Sequence, residues 1–328
     1  ILVRVFCYLL LFSPLVFWQP LDFFFDSTKS FFIIAMSELM LLSYVWLAYR
    51  HPPWRPTLNR VRVMLFIYVS ILAFVSFFGV DPFFSFWAGT ERLTGLLMWL
   101  HLMFVFLIFS SMFRQKEEWL PVFGVASIMG WLVIGFYFYS FFDQEILLYT
   151  KFGSTLGNSS FFGTYLIFAI FFSLILTVES RTRLTKIYGA STAIIFAIVL
   201  FSTTANSAIY SFFGGTLLIS SLLLLQSQNL RKKFFGYLLL GILIVMFGLA
   251  SVYVFQSGNI INQWFLEHTG GARLVLWSLA WDAFKERPWF GWGVENFPVA
   301  FFSHYNSCFG SAACGNEVWF DRAHNKVL

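Results

Sequence analysis

Arg273, Glu295, Asp321, Arg322 and His324 fall in one polar, Trp-rich stretch that opens at Gln256, runs through GGARLVLWSLAWDAFKERPWFGWGVENF and closes on FDRAHNKVL. A guanidinium offers planar, bidentate donation to an oxyanion and does not lose its proton. An imidazole near neutral pH can take a proton from a hydroxyl. Asp321 precedes His324 by three residues, a spacing that lets the carboxylate orient the ring if the segment is helical. Each residue also has a plainer reading. Arg273 can cap, or snorkel on, its own amphipathic helix, and a lone histidine is most often a surface or core hydrogen bonder, as His51, His101, His268 and His304 are expected to be. Glu295 lies in GWGVENF, where Gly291 and Gly293 after Pro288 make a simple turn, or a Gly-rich turn that presents Glu295 to a site.

The surroundings make this stretch stand out. The chain is 59% hydrophobic and only 11% charged, so ionisable groups left facing lipid would be too costly; these must lie in water or line a wet cavity. A mean hydropathy of +0.76, with charge gathered into short clusters between apolar runs, predicts an all-α, polytopic integral membrane protein. The alternation of an outer-membrane barrel is missing, which leaves helices as the spanning solution. A net charge of +5 would suit nucleic acid only with a soluble, charge-dense face, and there is none, so the expected partners are membrane lipids and not nucleic acid.

Apolar windows at 1–18, 31–49, 61–80, 93–113, 119–142, 161–178, 187–202, 209–225 and 234–255 predict nine spans. The chain then divides into a transmembrane bundle, 1–255, and a large outer loop, 256–328, that belongs to the same domain and carries the candidate residues. Arg4 before an apolar run raises a signal peptide, but no small-residue cleavage site follows and more spans do, so the first window reads as a retained span. With no initiator Met, and an end at Leu328 without a stop-transfer run, the chain is expected to be a piece of a longer protein whose further spans follow.

Basic residues set the orientation. Arg4, then Arg50, Arg55, Arg60 and Arg62, then Arg114 and Lys116, then Arg181, Arg183 and Lys186, then Arg231, Lys232 and Lys233 fall on alternate connections, which are the cytoplasmic ones. The opposite short connections hold only Lys29, Arg92 and Lys151. The amino terminus is therefore expected inside and the loop after Phe255 outside. Between the seventh and eighth windows, FSTTANSAIY is so short that it must be a tight hairpin or a break in a helix near the outer surface. In the outer loop, Leu274, Trp277, Trp281 and Phe284 recur at helical spacing and predict an amphipathic helix that lies on the membrane surface or packs on the bundle. Gly157 and Asn158 in TLGNSS read as a helix entry with Asn or Ser capping. Cys308 and Cys314 are close enough to close a small outer loop by a disulfide, or remain two free thiols; without further ligands they do not make a metal site.

Four pieces, FFSFWAGTERLTGLLMWL, STLGNSSFFGTYLIF, ARLVLWSLAWDAFKERPWFGWGVENF and FDRAHNKVL, resemble, in order and in topology, the O-antigen ligase and polymerase superfamily of bacterial inner membranes. The likeness runs from about 83 to 328. It implies a metal-independent glycosyltransferase without a cofactor, which moves a preassembled glycan from an undecaprenyl-diphosphate carrier to an acceptor hydroxyl, such as that of lipid A core, at the outer face. On that likeness Arg273 would meet the charge that grows on the diphosphate leaving group, and His324 would take the acceptor proton. The family's further arginine, in the outer hairpin, aligns with Asn206, which can donate hydrogen bonds to phosphate but brings no charge. Arg92 or Arg322, or Lys151, would then have to supply it, with Asp321 and Glu295 as lesser candidates around the substrates. Polymerisation of repeat units and glycosylation of protein hydroxyls use the same donor. Outside this chemistry stand a transporter, for which only Glu38 and His101 lie well inside apolar windows, and a non-catalytic glycolipid-binding relative.

Overall fold

The computed structural model describes residues 1–18, 25–142, 153–256, 258–269, 272–311, 314 and 318–323. These form helices α1 (Leu2–Leu10), α2 (Asp26–Arg50), α3 (Arg60–Phe77), α4 (Pro82–Trp87), α5 (Leu96–Met112), α6 (Lys116–Tyr139), α7 (Ser159–Glu179), α8 (Arg183–Ser202), α9 (Asn206–Leu225), α10 (Leu230–Phe255), α11 (Ile260–Thr269), α12 (Ala272–Glu286) and α13 (Phe297–Ser303). No strand occurs among the described residues.

Seven of these helices, α2, α3 and α6 to α10, are long and apolar enough to cross a membrane. The nine windows are thus matched at seven, and the two shortfalls have local causes. Within 1–18 the helix stops at Leu10 and a single 3-10 turn, Ser13–Leu15, follows. Pro14 lacks an N–H, and its ring would clash with the carbonyl four residues back, which is that of Leu10. In 93–113 the first three residues belong to a turn, with Leu93 in the left-handed region and Gly95 as the residue before α5. A Cβ at Gly95 would lie 2.5 Å from the Phe86 carbonyl oxygen, so only glycine admits this approach. The 17 residues of α5 reach about 25 Å, less than the ~30 Å hydrocarbon core. Apolar side chains are exposed along all the long helices, and in α10 the most apolar window has no buried residue. Such surface suits hydrocarbon, and the chain is a multi-pass membrane protein.

The chain divides into two compact units, Ile1–Phe74 with Phe86–Ile209, and Val75–Ser85 with Tyr210–Leu328. In the first, α2 packs on α1 and α5, α6 on α7, and α7 on α8. Small residues let these helices approach: a Cβ at Gly189 on α8 would meet the Ser173 carbonyl oxygen of α7 at 2.6 Å, and one at Gly130 on α6 would meet the Phe196 ring of α8 at 2.6 Å. Ser127 of α6 and Ser173 of α7 share a hydrogen bond at 3.0 Å. Glu38 on α2 and His101 on α5 face each other at 3.4 Å, and His101 Nδ1 bonds to the Leu97 carbonyl at 2.7 Å. The two ionisable groups inside the apolar windows are thus partners, as such groups normally are. Not every basic residue faces water: Arg62 is 4% exposed and donates to the Ser110 carbonyl at 3.1 Å and to its hydroxyl at 2.9 Å.

At the start of α7 the entry forms as its residues predict. Gly157 takes a left-handed conformation at φ +70°, which glycine adopts at little cost, and the Asn158 side chain accepts from the Ser160 N–H at 2.8 Å.

Candidate active site

In the second unit α12 is the element that bears Arg273. The helix buries Ala272, Leu276, Leu279, Ala280 and Ala283, one stripe of small and branched residues. Of these, Ala272, Leu276 and Leu279 meet Phe301, Phe309, Cys314 and Phe320 in a shared core. The aromatic line read from the sequence lies elsewhere: Trp281 and Phe284 are 50% and 43% exposed and stack on each other at 5.2 Å. Alanines permit the close approach that the core needs, and the larger rings stay at the surface, where Trp suits a membrane interface.

Arg273 stands in the first turn of α12, exposed, and among the described residues its guanidinium makes no hydrogen bond or ion pair. One turn further on, where residues i and i+4 share a face, the Trp277 indole N–H donates to the Ala323 carbonyl at 3.0 Å. The next residue after Ala323 is His324, which lies outside the described residues. The hydrogen bond therefore brings the backbone just before the candidate base to the turn just after the candidate cation.

Arg322 is engaged. One guanidinium nitrogen donates to both Glu295 carboxylate oxygens, at 2.9 and 2.8 Å, and the Asp321 carboxylate lies 3.8 Å from Arg322 Nε. Glu295, Asp321 and Arg322 are thus brought together, two carboxylates on one guanidinium. Residues 318–323 are not helical; the Asp321 carboxylate lies beside Arg322, and the His324 that it was expected to orient lies outside the described residues.

Glu295 is held by a turn that the sequence shows only in part. Gly291, Gly293 and Glu295 all have positive φ, of 61°, 100° and 63°. Gly293 sits against Gly79, and the Val80 N–H donates to the Trp292 carbonyl at 2.9 Å. Asn296, 1% exposed, donates to the Ser85 hydroxyl at 3.0 Å, the Trp292 carbonyl at 3.0 Å and the Asp81 carbonyl at 3.2 Å. Gly79 and Asn296 were missed as positioning residues. An asparagine between glycines and an apolar run was the available signal for Asn296; Gly79, far away in sequence, had none. A Cβ at Gly79 would lie 2.7 Å from Gly293 Cα and 3.0 Å from the Trp292 carbonyl oxygen, backbone atoms that cannot swing aside. Gly79→Ala is expected to destabilise the protein by about 1–3 kcal/mol, in the range of overpacking. Gly124→Ala on α6, which meets nothing within 4 Å, should not; thermal unfolding of the two purified variants checks this.

Cys308 and Cys314 form a disulfide, which settles the alternatives left by their spacing. The bridge closes its loop on Phe309 and Phe320, so the residue before Asp321 is anchored in the core. Among the described residues no three His, Cys, Asp or Glu side chains gather as a metal would require.

The other two candidates belong to the first unit. Arg92 ends a turn whose carbonyls are tied to α2: Ser27 donates to those of Thr90 and Glu91, and Ser30 to that of Arg92 at 2.7 Å. Ala88 and Leu93, both at positive φ, bracket this turn. Asn206 is the first residue of α9, exposed, after a three-residue link from α8; its N–H donates to the Thr204 carbonyl at 3.0 Å. The link is a short turn between two helices, and it carries no charge. Lys151 lies outside the described residues.

A family model described as O-antigen ligase matches residues 169–328, just under half of the chain. Comparison with curated proteins and with solved structures finds no match. The matched stretch takes in α12, the turn that holds Glu295 and the FDRAHN segment, and over these residues the chain is similar to the O-antigen ligase family.

Proposed function

We propose that the protein transfers a preassembled glycan from an undecaprenyl-diphosphate carrier to an acceptor hydroxyl, that of lipid A core in the first instance, at the outer face of a bacterial inner membrane. The observation that carries this reading is the O-antigen ligase match over the segment in which Trp277 ties Ala323 to α12. Ala323, the residue before His324, is thereby tied to the helix that bears Arg273. Arg273 stabilises the negative charge that builds on the diphosphate as the glycosidic bond breaks, and His324 takes the proton of the attacking hydroxyl. The new bond joins the acceptor oxygen to the anomeric carbon; the carrier diphosphate leaves with the bonding pair. The alternation of basic connections supports an amino terminus inside and an outer loop, and a disulfide is at home in that oxidising compartment.

Deletion of the gene, followed by gel analysis of surface glycans, tests the proposal. The expected result is carrier-linked polymer with bare acceptor, corrected by wild-type protein. Acceptor bearing single repeat units would make the protein a polymerase instead, and an unchanged profile would sink both.

A further inference from the structure

In the first unit the last carbonyls of α5 are taken by three arginines. Arg4 of α1 donates to the Met112 carbonyl at 2.9 Å, Arg62 of α3 to that of Ser110 at 3.1 Å, and Arg114 to that of Ser111 at 2.9 Å. Arg55 serves α2 in the same way, donating to the Ala48 carbonyl at 3.0 Å, and its own carbonyl lies 3.5 Å from an Arg114 guanidinium nitrogen. Four guanidiniums therefore gather where α2 and α5 end. Their carboxylate partner among the described residues is Glu118, which pairs with Arg4 and accepts from the Arg114 and Gln115 backbone N–H groups at 2.8 and 3.2 Å. A helix C-terminus carries about half a negative charge, so the two helix ends and Glu118 leave an excess of about two positive charges. Arg62 is 4% exposed, donates to neutral oxygens of Thr57, Ser110 and Ser111, and has no partner at Nε. The other basic cluster of this unit is balanced: Lys116 pairs with Glu179, and Arg181 lies 3.6 Å from Glu117.

The unbalanced cluster lies at a membrane surface, because α2 and α3, which the Arg55 connection joins, are both long and apolar enough to span. Cations near the hydrocarbon boundary are costly unless an anion answers them. Apolar surface adjoins them: Leu42, Trp46 and Tyr49 on one face of α2, with Val61 and Met64 of α3, are 60–72% exposed. Arg55 and Arg114 are exposed as well, and the Arg114 guanidinium lies over the Trp54 ring at 5.4 Å. We propose that Arg55 and Arg114, backed by the buried Arg62, bind the phosphodiester headgroup of an anionic glycerophospholipid, whose acyl chains lie along the exposed faces of α2 and α3. Phosphate oxygens suit the planar donors of arginine, and the apolar faces favour a lipid over a soluble anion. The site is independent of the glycan-transfer reading.

The test titrates the detergent-purified full chain with phosphatidylglycerol and, as the zwitterionic probe, phosphatidylcholine, and reads bound lipid by native mass spectrometry. Each arginine beside anionic lipid is worth about fivefold, so phosphatidylglycerol should be preferred by about 30-fold. Arg55→Gln/Arg114→Gln should lose that preference, while Arg231→Gln/Lys232→Gln, which removes equal charge from α10, should keep it. Equal loss in both double variants would mean that net charge alone attracts the lipid, and would overturn the proposal. So would displacement of the lipid by inorganic phosphate at equal concentration, since a soluble anion would then be the occupant. Because both arginines also cap helices, wild-type protein is cross-linked in parallel to a photoactivatable phosphatidylglycerol. Label is expected in 46–64 and 110–119; label confined to other segments would overturn the proposal without recourse to any variant.

Discussion

Replacing His324 by alanine is expected to lower kcat for glycan transfer by about 100- to 10,000-fold, the contribution of a positioned general base, with little change in donor KM. A hydroxyl is a weak nucleophile until its proton is removed as the new bond forms. His304, in the same unit, already has neighbours: Glu286 at 3.6 Å and the Ala300 carbonyl at 3.1 Å. An imidazole works as a base only when unprotonated, so the wild-type rate should fall on acidification, and His324→Ala should lose that acid limb. Measuring initial rates across pH for both proteins decides the matter. A variant that keeps both the rate and the acid limb would put the base elsewhere.

Arg273→Ala is the second large effect, an expected loss of about 100- to 1000-fold in kcat, comparable with removal of one donor from an oxyanion site. The guanidinium is exposed at the start of α12 and outside the core stripe that begins at Ala272. Its removal should therefore leave thermal unfolding unaltered while transfer collapses. Arg273→Lys should recover little, because a point charge cannot reproduce two parallel donations to a diphosphate. Rates with a carrier-linked donor, measured for both variants, separate this role from helix capping. Capping predicts near-normal turnover with lysine, and that outcome would refute the diphosphate role. The helix end adds to the case, since a cation at the positive end of a helix gains nothing from the helix dipole.

Much of this protein follows from local pattern. Apolar runs of bilayer length place the long helices, because in hydrocarbon each span must satisfy its backbone internally. Gly157 followed by Asn158 marks the start of α7, since a left-handed residue and a cap act within a few positions. Pro14 would also have ended α1 at Leu10, although hydropathy alone ran through it. The same locality explains the limits of the reading. The period of α12 predicts a helix, but which stripe is buried depends on what it meets, and Ala280 and Ala283 are buried while Trp281 and Phe284 are exposed.

By itself, then, the sequence determined a many-span helical protein and marked one polar stretch, with Arg273 and His324, as the candidate for its chemistry, because composition, periodicity and residue type are properties of neighbours along the chain. Only the tertiary structure decided that Arg322 answers Glu295, 27 residues away, that Asn296 reaches back to Asp81 across 215, and that Cys308 and Cys314 are bridged rather than free. Such pairings depend on where the chain returns in space, and neither the charge on Arg322 nor the missing Cβ of Gly79 says, before folding, which partner will arrive.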